Sequence, residues 1–120
     1  MTLEAEKKLV TENLMGWDVK EDTHTGIRIG VLPCLGIFKK DGTPIYLLHV
    51  WNPQEERKWW DEIWEKMDKD LWWKWYCNKK ELLGFVDVGL EDLYVEQIRA
   101  IDTASPETCW EALIKTLEGK

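Results

Sequence analysis

Nine tryptophans fall within 120 residues, at positions 17, 51, 59, 60, 64, 72, 73, 75 and 110. No other feature limits so tightly what the chain can fold into. A buried indole brings about 200 Å² of surface with it, and a chain of this length builds one modest core. The reading predicts more rings than one interior can hide. The surplus is expected at a ligand pocket, at a subunit interface, or at both. Apolar residues make up 44% of the chain, which is enough for a packed fold rather than a disordered chain. A single domain over residues 1–120 is expected.

Charge narrows the partners. The net charge is -7, and a protein that neutralises duplex phosphates needs a clustered basic surface. Duplex nucleic acid is therefore not expected as a partner. A small anionic ligand remains open, because a few basic side chains can converge locally on an acidic protein. Cys34, Cys77 and Cys109 are odd in number and form no CxxC pair, so a reduced, cytosolic setting without disulfides is expected. No apolar run approaches the roughly 18 residues of a membrane span, and no signal-peptide pattern is present.

Along the chain, Thr2 suits the cap of a first helix to about Met15, with Gly16 as its left-handed stop. Asp18 to Gly26 is polar and reads as a loop. Ile27 to Leu32 and Leu35 to Lys39 read as strands. Asp41-Gly42 is a hairpin signal, and Thr43 to Trp51 is the return strand, with Pro44 at an edge or first position. Asn52-Pro53-Gln54-Glu55 has the form of a helix start, predicting a helix to about Met67 or Asp68. Trp59, Trp60, Ile63, Trp64 and Met67 would share its broad apolar face. Leu71 to Cys77 alternates like a strand, with Trp73 and Trp75 on one face and Trp72 and Tyr76 on the other. Leu82 to Val88 reads as a shorter strand or an excursion, and Tyr94 to Ile101 as another strand. Ser105, or else Thr103, caps a last helix from Pro106 or Glu107 to about Leu117, whose buried stripe is Trp110, Leu113, Ile114 and Leu117. The element order predicts an α+β fold, an antiparallel sheet layered with helices.

Catalytic and metal signals are weak. His24 and His49 lie in different segments, with no HxxH or Cys/His cluster, so neither a metal nor another cofactor is expected. His49 reads as a sheet histidine. No GxSxG or other nucleophile signature occurs, and the carboxylates read as surface charge. No enzymatic activity is expected. Helix N-termini at Asn52-Pro53 and at Thr103-Ser105-Pro106 offer free N–H groups to a phosphate, although Glu55 and Glu107 in those first turns would repel it. Aromatic stacking is the chemistry the composition favours: a nucleobase on an indole contributes ~1–3 kcal/mol. Arginine stacks as well and forks two bonds to phosphate. The chain holds only Arg28, Arg57 and Arg99. The candidate ligand-binding set is therefore Arg57, Trp59, Trp60, Arg99, Thr103, Ser105 and Trp110. Against it stands the plainer reading, in which these indoles form core and oligomer interface and the arginines are surface.

Three stretches carry a family resemblance. They are NLMGWDV, WNPQEERKWWDEIWEKM and AIDTASPETCWEALIKTLE, together roughly half the chain. In the last, Thr103, Ala104, Pro106, Cys109, Ala112 and Leu113 fit the pattern. The chain resembles the phage ABA sandwich domain family and is more distantly similar to the Thoeris anti-defence proteins of phages. The resemblance implies an α/β/α sandwich-like fold, homo-oligomers, and a non-catalytic role in the bacterial host cytoplasm. That role is sequestering a signalling nucleotide, either a cyclic ADP-ribose isomer or a cyclic oligonucleotide. The alternative is an accessory protein acting through self-association or protein contacts alone. One departure stands out. Where the family often has Arg after the cysteine of its final helix, this chain has Trp110.

Overall fold

The computed structural model describes residues 1–22 and 34–119. The expected strand 27–32, His24 and Arg28 lie outside the described residues. The fold is mixed α+β and divides into two compact units, Met1–Asn52 and Pro53–Lys120.

In the first unit, α1 (Leu3–Val10) starts where Thr2 accepts a hydrogen bond from the Ala5 amide. It widens into a π turn, Thr11–Met15, and stops at Gly16, whose φ of 72° is left-handed. Thr11 contributes to that change of pitch by donating its hydroxyl back to the Lys7 carbonyl at 2.8 Å, a bond that competes with the regular helical ladder. A three-stranded antiparallel sheet follows, in the order β1 (Asp18–Glu21), β2 (Leu35–Phe38), β3 (Pro44–Leu47). Val19 pairs with Ile37, and Ile37 with Tyr46. The Asp41-Gly42 turn forms as expected, closed by the Lys39 amide on Thr43 O at 2.8 Å. Val10, Ile37 and Trp51 are fully buried in this unit.

Two expectations fail here. Asp18–Glu21 is a strand, not a loop, because polar residues suffice where a strand faces solvent on one side. The return strand ends at Leu47, and His49 sits in the following turn, exposed. Asn52 explains the early ending. It donates to the His49 and Val50 carbonyls and accepts from Lys7 Nζ at 2.8 Å. Lys7 also bonds the Leu48 carbonyl. Asn52 is thus the lock of a turn rather than the cap of a helix.

The second unit is helical. The expected start at Pro53 gives instead a turn, then a 3₁₀ segment Arg57–Trp59 and α2 (Trp60–Lys66). Its own tryptophans take over the partners. The Trp60 indole donates to the Pro53 carbonyl at 2.8 Å, and the Trp59 indole to Glu56. Asp68 then caps α3 (Lys69–Leu82), accepting from the Leu71 amide at 2.7 Å. Leu71–Cys77 is therefore helix, not strand. Its buried residues, Leu71, Trp75, Tyr76, Lys79 and Lys80, follow a helical stripe.

Leu82–Val88, expected as a short strand or an excursion, is the end of α3 and a loop. Gly84, at φ 91°, turns the chain. The Gly84 and Phe85 amides bond back to the Glu81 and Lys80 carbonyls, the two bonds of a Schellman stop. Buried Lys80 then holds the loop by donating to the Phe85 and Val88 carbonyls. Leu90–Asp92 is a 3₁₀ turn. The expected strand Tyr94–Ile101 is also a helix, α4 (Val95–Asp102). The Gln97 side chain accepts from the Tyr94 amide at 2.8 Å and fixes its first turn.

The last helix, α5 (Pro106–Glu118), is capped by Ser105 and buries Trp110, Leu113, Ile114 and Leu117, as its sequence predicts. It pairs with α3, where the Trp75 indole donates to Cys109 O at 3.0 Å and Asn78 to Thr116. Among the described residues, no helix is long and apolar enough to cross a membrane.

Candidate functional site

The tryptophans sort by burial. Trp17, Trp51, Trp59, Trp60, Trp75 and Trp110 are buried, so most of the apparent surplus is core. Trp72 is half-buried, while Trp64 and Trp73 stay 46% and 44% exposed. All three belong to the second unit and to one connected set of rings. Trp60 stacks on Trp75 with centroids 5.6 Å apart, and Trp64 leans on both. Trp72 meets Trp75 edge-on and stacks on Tyr76 at 5.0 Å. Trp73 closes the row against Trp72 and Tyr76. The helical period of α3 makes this possible: Tyr76 lies four residues after Trp72 and three after Trp73, so it neighbours both on the helix surface.

That face is one wall of a groove of about 350 Å³. Leu90 and Leu93, around the 3₁₀ turn, and Ile98 and Asp102, from α4, line the rest. The groove is thus aromatic on one side and aliphatic on the other, with a carboxylate at one end. Burial raises the Tyr76 pKa, and the Asp102 charge and a hydrogen bond to its carboxylate raise it further. The phenol therefore stays protonated at neutral pH.

Behind the groove lies Lys79, buried, with its ammonium 3.9 Å from the Trp75 ring centroid and bonded to the Ile101 carbonyl. Desolvation lowers its pKa, against the opposing pull of Cys109 and Asp102. Burial pushes the Cys109 thiol up, and the nearby Lys79 charge offsets part of this.

The candidate residues from the sequence divide into two groups. Trp59, Trp60 and Trp110 are core rings. Arg57, Arg99, Thr103 and Ser105 are brought together at the turn between α4 and α5, all exposed. There Arg57 donates to the Thr103 carbonyl at 3.0 Å, Thr103 donates its hydroxyl to the Arg99 carbonyl, and Ser105 caps α5. Each of these contacts also satisfies a helix end. Arg99 stands on a helix, not a strand.

The groove lining falls outside the candidate set. The signal that finds it is Asp68 before Lys69-Asp70-Leu71, an N-cap with an acidic first turn, which sets Trp72, Trp73 and Tyr76 on one helical face. Among the described residues, no three His, Cys, Asp or Glu side chains gather as a metal set. No family model matches the chain, and no curated protein or solved structure matches it.

Proposed function

We propose that the protein is a non-catalytic binder of a small nucleotide, holding the base against Trp72, Trp73 and Tyr76. One observation carries the reading: an aromatic wall along a groove of about 350 Å³, in a chain where six of the nine tryptophans are packed away. That volume is at the low end of small-molecule sites, which run from about 300 to 1,000 Å³. It suits one base and part of a sugar, favouring a ligand with a single base, such as a cyclic ADP-ribose isomer, over a cyclic oligonucleotide. Arg57 donates to the Thr103 carbonyl next to groove residue Asp102 and supplies positive charge for phosphate outside the groove. The biological setting, a phage protein withdrawing a defence signal in the host cytoplasm, rests on the sequence resemblance.

The test is equilibrium binding followed by release. Cyclic ADP-ribose isomers, cyclic dinucleotides and mononucleotides are titrated while tryptophan emission is followed, and the complex is then heat-denatured. The reading expects one single-base ligand to bind saturably and to emerge unchanged. Chemical conversion of the ligand would show an enzyme instead.

A second reading has its own support. Tyr94, Val95 and Ile98 are 73%, 62% and 38% exposed along one side of α4, beside exposed Trp73. An interaction protein would use this apolar surface for a second copy or a host protein. Mass measurement in solution, with and without Tyr94→Ser, tests it: the reading expects an oligomer that the substitution dissociates.

A further inference from the structure

Asp102 is the one charged side chain among the described residues that line the groove, and its surroundings shape what the groove accepts. It ends α4, where unbonded carbonyls give a helix its negative pole. A carboxylate is locally unfavourable at that end, so its placement is not explained by helix stability. Two cations stand nearby, but each donates to a backbone carbonyl beside it: Lys79 to Ile101 and Arg57 to Thr103. Among the described residues Asp102 forms no ion pair. The Tyr76 phenol lines the groove with it. An ionised carboxylate has about four acceptor positions, and Asp102 is exposed, so acceptor capacity is left facing the groove. A phosphate or keto oxygen placed there would meet oxygen lone pairs and negative charge. An amine would complete a charge-assisted hydrogen bond while its ring lies on the indoles.

We propose that the groove selects planar heterocycles bearing an exocyclic amino group, with Asp102 accepting from that amine and the ligand's anionic part lying outside. This rests on the reading that the groove holds a base, and it specifies which bases. An oxo-only ring such as uracil or hypoxanthine is disfavoured.

The experiment compares adenosine with purine riboside, and cytidine with its analogue lacking the 4-amino group, by tryptophan emission at neutral pH. Wild type and Asp102→Ala are titrated in parallel, and their melting temperatures are compared. The exposed position of Asp102 keeps the variant folded. Wild type is expected to bind at least one amino nucleoside about tenfold more tightly than its analogue lacking the amine, the loss of one hydrogen bond to a charged group. In Asp102→Ala the two affinities converge. Equal binding of both members of each pair to wild type overturns the amine requirement and leaves base binding intact. So does a preference that persists in the variant. Absence of binding by all four nucleosides overturns base binding and the amine requirement together.

Discussion

At the scale of single residues, exposure separates side chains that hold the fold from those that face a ligand. Trp75 is buried, stacked on Trp60 and bonded to Cys109 O. Trp75→Ala is expected to destabilise by about 3–5 kcal/mol, the range for a large buried aromatic, measured by urea unfolding. Trp73, at 44% exposure, is expected to tolerate the same change within about 1 kcal/mol.

Lys79 is the least expected interior residue. Its folded pKa lies below the unfolded 10.5. Between the two values the unfolded chain binds the extra proton, so this group's contribution to stability rises with pH in that window. Cys109 has the opposite sign. Its folded pKa lies above 9.0, so the folded chain keeps a proton that the unfolded chain loses, and stability falls as pH climbs past that value. Lys79→Met removes the desolvation penalty and is expected to stabilise by about 1 kcal/mol at pH 7. The gain should shrink as pH approaches 10, a trend thermal melts across that range would reveal. A gain independent of pH would contradict the assignment to charge burial.

At the scale of elements, the decisive signals are the ends. The Thr2 cap, the Gly16 stop, the Asp41-Gly42 turn and the Ser105-Pro106 start were all legible, because each is set by residues within a few positions. Leu71–Cys77 and Tyr94–Ile101 resemble strands in sequence because aromatic and β-branched residues mimic strand composition. In α3 the pairing of Trp75 with the Cys109 carbonyl outweighs that preference. The Asn52-Pro53 start failed for a different reason: Lys7, forty-five residues away, claims the asparagine, and no local pattern announces that. The same composition hides the groove, since strand alternation sets Trp72 and Trp73 on opposite faces.

The α3 termini offer direct checks. Asp68→Ala removes the bond from the Leu71 amide and is expected to cost about 1 kcal/mol. Gly84→Ala meets no atom within 4 Å, so its expected cost of about 1 kcal/mol is backbone strain at φ 91° alone. Denaturant melts of both variants test these values. A neutral Gly84→Ala would contradict the helix stop described above.

For the whole molecule, the excess of indole that the sequence suggested reduces to three rings on two neighbouring helices. A ligand that binds only the native protein raises its apparent stability by about 2.7 kcal/mol at a hundred times its Kd, so the cognate nucleotide should lift the melting temperature of wild type. The most direct measurement is titration of single-base nucleotides into wild type and Trp73→Ala, followed by the emission of the remaining tryptophans. The account predicts a saturable change in wild type that is lost in a variant melting at nearly the same temperature. A response of undiminished affinity in Trp73→Ala, or none in wild type across the series, would contradict it.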